Sequence, residues 1–74
     1  MDYDKDKVDE MVLALLFLTI HEERRAWKGH DWEAMNRLHE KGMIDNPVGK
    51  TKSVMLTDTG LERSRELFMK HFAK

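Results

Sequence analysis

No cysteine occurs in the 74-residue chain, so no disulfide framework holds it together and no thiol serves as a nucleophile. An excess of one charge is missing too: 13 Lys and Arg against 14 Asp and Glu leave a formal net charge of -1. No block is basic enough to form the concentrated positive face that marks a dedicated nucleic-acid binder. Long apolar runs are also absent. The longest runs from Met11 to Ile20, whereas a membrane-spanning helix needs about 20 apolar residues. An acidic leader precedes this run and HEERR follows it, which does not suit a secretory signal. A soluble, cytoplasmic protein with no membrane partner is expected.

What remains is 41% hydrophobic and 36% charged, too apolar for a disordered tail. Residues 1–74 therefore read as one small domain. A core of this size rarely supplies more than about 3–5 kcal/mol unaided. With no disulfide and no evident metal cluster, oligomerisation is the remaining source of stability.

The first helix is predicted from Asp4 to about His21. Val8, Met11, Val12, Leu15 and Leu18 share one face at helical spacing, while Leu13, Leu16, Phe17 and Ile20 share the opposite one. A helix apolar on all sides must be covered on all sides. The second face is therefore predicted to pack on the same helix of another copy, giving a two-fold homodimer through Leu13, Leu16, Phe17 and Ile20.

Residues 21–30 (HEERRAWKGH) extend that helix or form a separate helical turn, with Gly29 as the stop. Asp31 then caps a helix from Trp32 to Lys41 that Gly42 terminates. Trp32, Ala34, Met35 and Leu38 form its core side, and Glu33, Asn36, Arg37, Glu40 and Lys41 its outward side. Met43–Asp45 and Lys52–Leu56 read as two short strands around an Asn-Pro turn. Thr57 caps the last helix, with Asp58 in its first turn, and Leu61, Phe68 and Phe72 form its buried stripe. The expected fold is mainly α with a small two-stranded β wing: three helices plus a hairpin.

That order, with LHEKGMI followed by a loop and SVMLTDTGLERSRELF, resembles the winged-helix domain of bacterial regulators of the multiple-antibiotic-resistance and phenolic-acid-response type. The resemblance covers roughly the C-terminal half. In those regulators a recognition helix ends in Leu-x-x-x-Gly-hydrophobic-Ile, here Leu38 to Ile44. The returning strand ends in Leu-Thr-x-x-Gly, here Leu56 to Gly60. Two departures stand out. Only residues 21–29 are available for the additional helix that precedes their recognition helix, and the outward face here sets Glu33 and Glu40 against Arg37 and Lys41. Over nearly its whole length the chain also resembles a family of small uncharacterised bacterial proteins, through MDYDKDKVDEMVLALLFLTIH, RAWKGHDWEAMNRLHEKGMI and NPVGKTKSVMLT. This second resemblance implies a winged-helix-like fold and carries no activity.

Several motifs suggest chemistry and then fail on context. Gly49-Lys50-Thr51 matches the end of a phosphate-binding loop, but that pattern needs a glycine where Ile44 stands and a helix where a strand follows. His21, His30, His39 and His71 have no recognised metal-ligand spacing. No nucleophile-and-base pattern or cofactor loop is present. A non-catalytic protein without metal or cofactor is expected. Arg24, Arg25, Trp27 and Lys28, together with Lys50 and Lys52, form a basic, aromatic group suited to phosphates, and Asn36 and Arg37 could reach base edges. Two functions follow: a homodimeric protein-interaction module whose protein partner is unidentified, or a minimal regulator binding duplex DNA.

Overall fold

The computed structural model describes residues 1–74. Three helices, α1 (Lys5–Leu18), α2 (Trp32–Glu40) and α3 (Asp58–Phe72), surround a small sheet of β1 (Arg25–Trp27) and β2 (Ser53–Met55). Each helix starts at the side-chain cap that the local sequence announces. Asp4 accepts from the Lys7 amide at 3.0 Å, Asp31 from Ala34 at 3.1 Å and Thr57 from Gly60 at 2.9 Å. Gly42, at φ +77°, ends α2 in the left-handed region that glycine enters most readily.

Thr57 does more than cap. Its hydroxyl also donates to the Gly42 carbonyl at 2.6 Å, tying the end of α2 to the start of α3. Thr57→Ala is expected to cost about 2 kcal/mol, and Thr57→Ser to restore most of it. The urea-unfolding midpoint measures both.

The expected hairpin forms, but in minimal size. Ile44 bridges Leu56, the Asp45 amide donates to Met55 O at 2.9 Å, and the Thr57 amide to Met43 O at 3.0 Å. The other edge of β2 carries a partner from the connector. Arg25, Ala26 and Trp27 pair antiparallel with Met55, Val54 and Ser53 respectively. Residues 21–30 are thus a turn and a strand, correcting the helical expectation. Thr19 ends α1: its hydroxyl donates to Leu16 O at 3.2 Å and accepts from the Trp27 amide at 3.1 Å. Glu22 and Glu23 then take φ of 47° and 72°, reversing the chain so that His21 and Arg25 bridge. Gly29 caps nothing.

Alternation along each strand sets the sheet's two faces. Ala26 and Val54 enter the core, which also holds Val12, Leu13, Ala14, Leu16, Ala34, Met35, Leu38, Ile44, Leu56 and Leu67. Helix α1 is clasped within one chain, with α3 along one side and α2 and β1 on another. Ser64, fully buried on α3, supplies the small side chain that lets the helices approach. Leu15 and Leu18, expected in the core, face solvent instead, and Trp32 is 54% exposed and Phe72 41% exposed. No helix is long and apolar enough to cross a membrane.

Candidate nucleic-acid interface

The outward face of the sheet carries Arg25 and Trp27 on β1 opposite Met55 and Ser53 on β2. Trp27 is 51% exposed. One side of its indole rests on the His21 ring, with centroids 4.4 Å apart and planes 27° from parallel. The turn at Glu22 and Glu23 creates this stack by folding His21 back beside the strand. Beyond Trp27, the chain reaches Lys28, whose amide donates to Lys52 O at 3.1 Å. Its ammonium donates to Pro47 O at 2.7 Å and Gly49 O at 3.1 Å. These bonds fix the loop of residues 46–52, the wing loop, against the end of the sheet. A shallow groove of about 550 Å³ results, lined by Trp27, Lys28, Gly29, Gly49, Lys50, Thr51 and Lys52. No carboxylate lines it.

The cations expected to contact a ligand fall into two groups. Lys50 and Lys52 are exposed and enter no ion pair. Arg25 lies over the same sheet face, its guanidinium donating to Ser53 Oγ at 3.1 Å with Glu22 3.7 Å away. Arg24, by contrast, pairs with Asp58 at 2.7 Å at the start of α3.

Arg37, expected to read base edges, turns inward. Its Nε donates to both carboxylate oxygens of Asp9, at 3.0 and 2.8 Å, and Lys41 Nζ donates to the same carboxylate at 2.9 Å. Asp9 is only 1% exposed. Burial by itself pushes its carboxyl up. The hydrogen bonds from Arg37 and Lys41 outweigh that effect and hold it below the ordinary carboxylate range. With these two cations engaged, the outward side of α2 presents Glu33, Glu40 and half-buried Asn36. Carboxylates facing phosphates are repulsive, so α2 does not provide a major-groove reading surface.

The residues expected at a dimer interface are largely taken up within the chain. Leu13 is 2% exposed and Leu16 fully buried, because α3 and the α2–sheet layer cover both faces of α1. Phe17 is half-buried against Phe68, with ring centroids 5.3 Å apart, and Ile20 is also half-buried. The apolar surface left on α1 is the narrower stripe of Met11, Leu15 and Leu18.

The histidines are dispersed. His21 supports Trp27, His39 Nδ1 lies 3.1 Å from Ile44 O, and His71 sits near the end of α3. Partial burial pushes His30 below its ordinary value. Gly49-Lys50-Thr51 lies in the wing loop, ahead of β2 rather than a helix.

Sequence reasoning missed two elements here. Asp9 was legible in principle, being a carboxylate on the helix face that also carries Leu13 and Leu16. His21 gave no signal, since only the reversal at Glu22 and Glu23 brings it to Trp27.

Three helices about a small antiparallel sheet, with a loop extending from that sheet, make this a small α+β domain consistent with a winged-helix-like fold. The family model described as "Domain of unknown function (DUF6429)" matches residues 4–74, and the chain belongs to that family. It is 58% identical over 74 residues, covering 100% of both chains, to the uncharacterized protein y4hR of Sinorhizobium fredii (strain NBRC 101917 / NGR234). No solved structure matches it.

Proposed function

We propose that this protein is a non-catalytic nucleic-acid-binding module whose contact surface is the wing groove. The observation that carries this reading is the groove's composition: a half-exposed indole beside Lys28, Lys50 and Lys52, without a carboxylate. Lys50 and Lys52 hold phosphates, and Lys28 holds the loop in place for them. A net charge of -1 makes the attraction local and its affinity modest. A self-associating interaction module, the other function suggested by the sequence, has less support because Leu13 and Leu16 lie inside the chain.

Fluorescence anisotropy with labelled single-stranded and duplex oligonucleotides tests the proposal. Binding is expected at about 50 mM salt and should weaken steeply as salt rises. The double charge reversal Lys50→Glu/Lys52→Glu should abolish most of it. The milder Lys50→Gln/Lys52→Gln should flatten the log–log salt slope by about 1.4–1.8, from two lost phosphate contacts. If neither form of nucleic acid binds at low salt, the proposal is wrong.

A further inference from the structure

Resting on that reading, the geometry points to single-stranded nucleic acid as the ligand, with one unpaired base stacked on the open face of Trp27. Arg25 and Trp27 lie two residues apart on one face of β1, and the groove with Lys50 and Lys52 opens beyond Trp27. Trp27 therefore stands between Arg25, which Glu22 and Ser53 hold on the sheet, and two unpaired cations on the wing. A strand laid along this face places a base over the indole and its phosphates toward the unpaired Lys50 and Lys52.

Three further features favour an unpaired base. The His21 ring already backs Trp27 at 4.4 Å, which holds the indole as a platform, and the indole remains 51% exposed. A base inside a duplex has both π faces covered by its neighbours and cannot use such a platform, whereas an unpaired base can. The second is the charge on α2: Arg37 and Lys41 are bound to Asp9, so the helix offers Glu33 and Glu40 where a duplex reader needs cations. Lastly, the contacts available are ring stacking and phosphate pairing. These tolerate any sequence, because every base has a π face.

The test compares a short oligothymidylate, a short oligouridylate and a duplex of matching length in one buffer. Each single strand is expected to bind at least about fivefold more tightly than the duplex, the lower end of what one base–aromatic stack contributes. In a Trp32→Phe background, where Trp27 is the only tryptophan, both single strands should quench its fluorescence on titration. Tighter binding of either identifies the sugar preferred in the groove. Trp27→Leu should lose at least about fivefold for single strands while leaving the salt slope unchanged, because the indole neutralises no phosphate. Duplex binding equal to or tighter than that of both single strands overturns the inference and leaves the proposed function standing. So does single-strand binding that leaves Trp27 fluorescence untouched. Absence of binding by all three ligands overturns both.

Discussion

Arg37→Met is expected to destabilise the protein strongly, because it removes one partner of an ion pair whose carboxylate is buried. Asp9 lies at the bottom of the contact between α1 and α2 with 1% exposure. Arg37 grips both of its oxygens, leaving Lys41 as the only other cation on it. Methionine keeps most of the side-chain volume and removes the charge and the donors. The carboxylate is then buried with one cation, itself partly exposed and shared with Asp6 at 3.2 Å. Thermal unfolding followed by circular dichroism measures the loss.

The pH dependence gives this prediction its sign. Folding holds the Asp9 carboxyl below its ordinary value, so the folded state binds a proton less readily than the unfolded one. The stability this contributes is complete above the unfolded value of about 3.9 and disappears as pH falls through the lower folded value. Protonated Asp9 no longer needs Arg37. The gap between wild type and Arg37→Met should therefore narrow below about pH 4. A gap that stays constant or widens on acidification would show that Arg37 acts through packing rather than through the Asp9 charge.

Gly60→Ala is the second large effect, and its direction opposes helix propensity. In a helix interior the exchange ordinarily gains about 1 kcal/mol. Gly60 is buried in the first turn of α3, where the backbone of Met43 crosses it. A methyl group there would overlap the Met43 carbonyl oxygen and stand 2.6 Å from its carbonyl carbon. That carbonyl cannot retreat freely, because it accepts from the Thr57 amide at 3.0 Å. Gly60→Ala is expected to cost about 3 kcal/mol by overpacking. Gly29→Ala, with open space around the added carbon, should leave the urea midpoint nearly unchanged. A Gly60→Ala protein as stable as wild type would mean that α3 can slide away from Met43.

The Leu56-Thr57-x-x-Gly60 segment thereby gains a physical meaning that its resemblance to regulator domains did not supply. Thr57 joins two helices through one hydroxyl, and Gly60 lets backbone pass against backbone. Both stand in the segment that carried the resemblance, and Thr57 was visible there as a cap. Their partners, Gly42 and Met43, were not.

Other residues divide along the same line. Asp31 and Thr57 were legible as caps because a cap bonds an amide three residues away. The alternation of Val54, Met55 and Leu56 was legible because it repeats every two residues. The pairing of β1 with β2 was not, since Ala26 meets Val54 across 28 positions of chain. The candidate site suffered most from this. Lys50 and Lys52 could be named as wing cations, and Trp27 as an aromatic neighbour of arginines, yet only the sheet register places them around one groove. Arg37 was misassigned for the same reason: its charge was visible on the outward side of α2, its partner on α1 was not.

By itself the amino-acid order determined the three helices with their start points, the turn chemistry of the wing and the total of apolar surface to be hidden. All of these depend on residues within a few positions of one another. The tertiary structure alone decided which faces of α1 are covered, what Asp9 binds and where the basic side chains converge. Those outcomes depend on side chains tens of residues apart competing for the same space, and periodicity along a single helix does not record that competition.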